Sequence, residues 1–190
     1  MNRVIIESPY AGRSRWRLLA FFQRIGNRRF ARRCVRDSLM RGEAPLASHL
    51  LYTQRGILRD EVMEERKQGI AAGLTWLRHA KLSAVYVDRG ISSGMRYGIA
   101  AAEGLGVLVR YRALDPDAGL LFLADNPLLD VEPCVELGSP EWHRFWQLAA
   151  EIREANREKS YAANPSLRRR AEQLRANAIT SASIMPAAKP

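Results

Sequence analysis

The sequence predicts an α/β fold. The expected core is a parallel sheet in the order 2-1-3-4, with room for a fifth strand, helices on both faces and a C-terminal helical extension. Short, nearly pure apolar runs recur at residues 4–8 (VIIES), 82–88 (LSAVYVD) and 107–114 (VLVRYRAL), the pattern of strands buried on both faces. Longer stretches of helical period separate them. Glycines and small polar residues cluster where a strand gives way to a helix.

The first run stops at Pro9. Residues 13–40 then read as helical, with Trp16, Leu19, Ala20 and Gln23 on one face, and Gly26-Asn27 is expected to split them into two helices. Residues 44–48 form a weak strand that delivers His49, and a loop follows. A helix is expected over 61–80, with Asp60, Glu61, Glu64 and Glu65 at its start and Arg78, His79 and Lys81 at its end, as the helix dipole favours. After the strand at 82–88 comes a helix from Gly94 to Gly104, then the strand at 107–114. Residues 119–124 (GLLFLA) read as an extra edge strand or a hairpin arm. Ser139-Pro140-Glu141 opens a strong helix, with Ser as cap, Pro in the first position and Glu in the first turn. A short basic helix is expected over 166–176. The division read from this is an α/β domain at 1–115, a mainly helical extension at 116–177 and a disordered tail at 178–190.

Composition narrows the class of partner. Of the 190 residues, 47% are hydrophobic and the formal net charge is +10, with a pI near 10.3. Arginines dominate that charge, from Arg13 to Arg36 and again at Arg168, Arg169 and Arg170, which favours anionic partners. No apolar run is long enough to span a bilayer, and the apolar part of MNRVIIESPYAG is too short for a signal peptide. Cys34 and Cys134 lack metal-ligand spacing and read as free thiols of a cytoplasmic protein. No metal site or cofactor is expected, nor a membrane partner.

In a sheet of this kind ligands bind beyond the carboxyl ends of the strands. Three loops should meet there: 8–12 (SPYAG), 48–54 (SHLLYTQ) and 88–94 (DRGISSG). The expected ligand contacts are Ser8, Tyr10, Gly12, Tyr52, Gln54, Gly90, Ser92, Ser93, Gly94 and Met95. Gly90 and Gly94 allow close backbone approach, and the N–H groups that open the Gly94 helix can hold an anion. Ser92 and Ser93 either cap that helix or cap it and also touch the ligand. Asp88 can bind a sugar hydroxyl, act as a base or accept loop N–H bonds. His49 is a candidate acid–base group or phosphate contact, and Glu65 opens a helix on the same side. Neither a dinucleotide fingerprint nor a P-loop is present.

The stretches ESPYAG, RGEAPLASHLLYTQRGIL, EERKQGIAAGLTW and VYVDRGISSGM, with the YGI and V-x-Y-R-x-L residues that follow, resemble a bacterial and phage domain family of unknown function. That family is similar to the nucleoside 2-deoxyribosyltransferases and their Rossmann-like superfamily. The resemblance covers about residues 3–114. It implies cleavage of the N-glycosidic bond of a 2′-deoxynucleoside by an attacking carboxylate, followed by transfer of the sugar to a second base. Related transferases assemble through their helices, which implies a homo-oligomer. In them the attacking glutamate lies in the first turn after the hinge, in a D-x-G-T-x-x-E type pattern. Here Asp88, Gly90 and Ser92-Ser93 match the aspartate and the glycine–hydroxyl turn, but Gly94-Met95-Arg96-Tyr97-Gly98 holds no glutamate. Gly98 stands nearest the expected position, and Glu103 is too far along. Glu7, Glu65 or Asp88 is left to supply the carboxylate.

Three functions therefore compete. One is an enzyme at the N-glycosidic bond of a nucleoside or nucleotide, with Asp88, Glu65 and His49 as catalytic candidates. The second is a module that binds a nucleotide without turning it over. The third is nucleic-acid binding through the arginine clusters, although no helix-turn-helix, zinc finger or aromatic single-strand platform is evident.

Overall fold

The computed structural model describes residues 1–12 and 14–183. Five strands form one all-parallel sheet in the order β2-β1-β3-β4-β5. They are β1 (Arg3–Glu7), β2 (Ala44–Leu46), β3 (Leu82–Tyr86), β4 (Leu108–Ala113) and β5 (Val131–Pro133). The expected four-strand order is present, with a fifth strand added at the β4 edge. Both edge strands are short and carry a proline, Pro45 or Pro133, whose missing N–H a central strand could not tolerate.

The helices are α1 (Arg17–Met40), α2 (Ser48–Leu51), α3 (Met63–Leu77), α4 (Ser93–Gly104), α5 (Pro116–Asp125), α6 (Pro140–Ala163) and α7 (Pro165–Ser183). Period-two alternation sorts the sheet's side chains. Val4, Ile6, Ala84 and Tyr86 pack with Phe30 and Cys34 of α1. Ile5 faces the other way, with Leu77 of α3 and Ala102 of α4. Val85 and Ala113 continue that second face under Met95 and Ile99 of α4, Leu123 of α5 and Phe145 of α6.

Two local expectations are corrected. Gly26-Asn27 does not break a helix, because α1 runs through it without interruption. The pair lets another chain segment approach instead. Arg89 comes within 3.2 Å of where a Cβ on Gly26 would stand, and it donates to Asn27 Oδ1 at 3.0 Å. Residues 119–124 are helical, within α5, and the fifth strand forms later. Asp115 caps α5 by accepting the Asp117 N–H at 3.0 Å, and Pro116 takes the first helical position. The cap Ser139 and Pro140 open α6 as the sequence indicates. The last helix extends to Ser183, and residues 184–190 of the expected tail lie outside the described residues.

Where β4 and β5 meet the end of α1, the layer is polar. Arg112 is almost fully buried and grips Glu43 through two hydrogen bonds of 2.7 and 2.8 Å. It also donates to Glu132 at 3.2 Å. Asp37 accepts from Tyr86 at 2.6 Å, Arg41 at 2.8 Å and Cys134 at 2.9 Å. Among the described residues no helix is long and apolar enough to cross a membrane.

Candidate functional site

The loops after β1, β2 and β3 meet in a cavity of about 260 Å³. Its floor comes from the end of β1: Ile5, Glu7 and Ser8, then Tyr10. The segment around α2 adds Ser48, His49, Tyr52 and Thr53. The hinge before α4 adds Ser92, Ser93, Gly94 and Met95, and Tyr97 and Gly98 follow on the helix. Gly69, Ile70, Gly73 and Leu74 of α3 close the far wall.

Glu7 is the last residue of β1 and shares a face with Ile5, so its side chain points to the α3–α4 side. There it lies directly under α4. A Cβ on Gly98 would come within 2.6 Å of the Glu7 carboxyl carbon. No hydrogen bond or ion pair to this carboxyl exists among the described residues. Burial without a compensating cation raises its pKa from 4.5 to about 8, so it is mostly protonated at neutral pH.

Ser8 follows Glu7, and its hydroxyl lies 2.9 Å from His49 Nε2. Burial lowers the His49 pKa to about 4, so the ring is neutral across the physiological range. The Tyr10 ring meets His49 edge-on with centroids 6.0 Å apart. Tyr52 is held by Trp76, whose indole N–H donates to its hydroxyl at 2.8 Å. Thus the cavity combines aromatic walls with a serine–imidazole pair and an enclosed carboxyl.

Its rim is charged differently. Glu65 takes the Arg59 backbone N–H at 2.6 Å and the Arg59 Nε–H at 2.8 Å, and these bonds hold its pKa below the usual carboxylate range. Asp60 pairs with Arg66 at 2.7 Å. Among the described residues that line the cavity, Arg66 is the one that carries a cation, and it is already engaged. The site therefore holds carboxyl groups paired with arginines at its mouth and a protonated, unpaired one at its floor.

The hinge caps α4. Ser92 Oγ accepts the Met95 N–H at 3.3 Å, and the Ser92 N–H in turn donates to Met95 Sδ at 3.5 Å. Gly90 turns the chain with a φ of 69°, which a residue with a Cβ rarely adopts. Asp88 lies elsewhere. Its Oδ1 accepts the Asp115 N–H at 2.7 Å, tying the hinge to the start of α5, and its Oδ2 is buried without a hydrogen-bond partner among the described residues.

Of the residues singled out in the sequence, the cavity gathers Ser8, Tyr10, His49, Tyr52 and Glu65, together with Ser92, Ser93, Gly94 and Met95. Asp88, Gly12, Gln54 and Gly90 are not among its lining residues. Glu7, left in the sequence as one of three interchangeable carboxylates, is the one at the floor. Its signal was the strand's own alternation, which puts Ile5 and Glu7 on one face, beneath a helix carrying a glycine.

Residues 2–112 match a domain of unknown function, DUF7768, and the chain belongs to that family. No curated protein matches it.

Proposed function

We propose that this DUF7768 protein binds a nucleoside or nucleotide in the cavity and acts at its N-glycosidic bond, with Glu7 as the reacting carboxyl. The observation that carries this reading is the Glu7–Gly98 contact. Where the resemblance places an attacking glutamate on α4, this chain has a glycine, and a carboxyl from β1 fills the space.

The physical case rests on charge. An enclosed carboxylate with no cation beside it is costly. It becomes favourable when positive charge appears in front of it, as it does at the anomeric carbon while an N-glycosidic bond breaks. Glu7 would then interact more strongly with the transition state than with the bound ligand, which is the condition for acceleration. Its proton is lost to water, one carboxyl oxygen bonds the anomeric carbon, and the carbon–nitrogen bond breaks. The electron pair leaves with the base, which takes up a proton. Water or a second base then displaces Glu7 and restores it.

The other residues serve positioning. Tyr10, Tyr52 and Tyr97 offer ring faces to a base. Ser93 and the N–H groups that open α4 face sugar or phosphate oxygens. Neutral His49, paired with Ser8, offers a hydrogen bond without adding charge.

The test is a panel of 2′-deoxynucleosides and their 5′-monophosphates, with free base resolved by chromatography and binding followed by thermal shift. The expected result is base release by the wild type, with Glu7→Gln at least about a hundredfold slower yet still stabilised by the same ligand. Unchanged ligand recovered after saturable binding would replace catalysis with capture. No shift from any ligand would end the reading.

A further inference from the structure

We propose that the outer face of α1 is a docking surface for single-stranded nucleic acid. The helix is 24 residues long, yet among the described residues its buried ones all lie from Asn27 onward: Asn27, Phe30, Ala31, Cys34, Asp37 and Ser38. Its first turns overhang the carboxyl end of the sheet, the end where the cavity opens. That overhang is apolar and uncovered. Trp16 is 76% exposed, Leu18 70% and Phe22 60%, and Phe21 is exposed beside it. The rings of Phe21 and Phe22 meet edge-on at 5.8 Å. Trp16, which the sequence places on one helix face with Leu19, Ala20 and Gln23, is therefore at the surface.

The same face continues as a stripe of charge. At 3.6 residues per turn, Leu18, Phe21 and Phe22 are in line with Arg29, Arg32, Arg33 and Arg36. These four arginines are exposed, and none forms an ion pair or a side-chain hydrogen bond among the described residues. One helix face thus carries aromatic rings at one end and unneutralised guanidinium groups at the other.

Charge complementarity calls for a polyanion, and the rings narrow the choice. A single strand presents phosphates to arginines and unstacked bases to aromatic faces along one line. A duplex hides its bases. A second copy of α1 would set arginines against arginines if parallel, and against Phe21 and Phe22 if antiparallel; rings can receive guanidinium groups, but neither arrangement supplies the negative charge that would neutralise them. A flat bilayer that took in Leu18, Phe21 and Phe22 would draw the arginines of that same face toward the apolar layer, which is unfavourable.

The experiment is fluorescence anisotropy of the full chain with a labelled oligothymidylate of about 20 nucleotides, at salt from about 50 to 200 mM. Four phosphate contacts give an expected log–log salt slope of about −3, and Arg32→Ala with Arg33→Ala flattens it by about 1.4. Phe21→Ala with Phe22→Ala weakens binding at least about fivefold and leaves the slope unchanged. All four side chains are exposed, so the variants remain folded, and circular dichroism checks that they do. No binding at the lowest salt would overturn the proposal, as would binding that both double variants leave intact. Capture by phosphatidylserine vesicles without oligonucleotide binding would reassign the face to lipid. A dimer that Phe21→Ala dissolves would reassign it to a second copy.

Discussion

Gly98 leaves the space that the Glu7 carboxyl occupies, for a Cβ there would approach the carboxyl carbon to 2.6 Å. Gly98→Ala sits inside α4, where the substitution ordinarily gains about 1 kcal/mol. The neighbour it meets is enclosed and must move. The expected outcome is a folded protein with turnover reduced at least about tenfold, because a small displacement of a reacting group is costly. Comparing melting temperature and base release in one preparation separates the two effects.

Glu7 also sets how stability depends on pH. Its pKa is about 8 in the folded protein against an ordinary 4.5, so the folded state holds its proton more tightly. The stability tied to that proton is fully present below about 4.5 and is lost as pH rises through 8. Glu7→Gln removes the loss. It should be more stable than the wild type by on the order of 3 kcal/mol at neutral pH, with the difference vanishing near pH 4.5. Urea unfolding across that range measures it.

His49 acts in the opposite direction. Its pKa falls from 6.5 to about 4 on burial, so the unfolded chain binds the proton more readily. The stability from burying the neutral ring is present above 6.5 and is lost as pH falls toward 4. The two groups together give a stability maximum between these arms. His49→Gln should flatten the acid arm and Glu7→Gln the alkaline arm, each leaving the other in place.

Turnover should rise with pH. The attacking form of Glu7 is the carboxylate, whose population grows tenfold per pH unit below about 8. Base release is expected to climb from pH 6 to 8 and then level off. A rate that falls over that interval would make Glu7 a proton donor instead.

A prediction away from the cavity concerns Arg112, which is buried between Glu43 and Glu132. Arg112→Met removes the cation and leaves Glu43 enclosed. Destabilisation of about 3 kcal/mol is expected, measured as a shift in urea midpoint.

The three longer strands were legible in the sequence because they are runs rich in apolar residues, whereas the short edge strands β2 and β5 read as weak or were placed elsewhere. The runs containing Val4, Ala84 and Val109 are β1, β3 and β4, and the order around β1 follows from their connections. Local signals failed where a residue serves a tertiary purpose. Gly26 reads as a helix end yet makes room for Arg89, and residues 119–124 read as a strand until Asp115 and Pro116 are recognised as a helix start. The convergence of three loops was legible from their positions after strands. The choice among carboxylates was not, because it depends on which one the fold encloses. Asp88 is bound to the α5 turn and Glu65 to Arg59, whereas Glu7 has no partner among the described residues. The exposure of Trp16 was hidden for a related reason: its helical spacing with Leu19, Ala20 and Gln23 resembles that of a core face.

Intact-protein and peptide mass spectrometry after acid quench tests the central claim most directly. Mixed with a 2′-deoxynucleoside that it cleaves, the protein should gain the mass of one deoxyribosyl group, located on the peptide that contains Glu7 and absent from Glu7→Gln. Base release with the sugar attached to another residue, or undiminished release by Glu7→Gln, would contradict it.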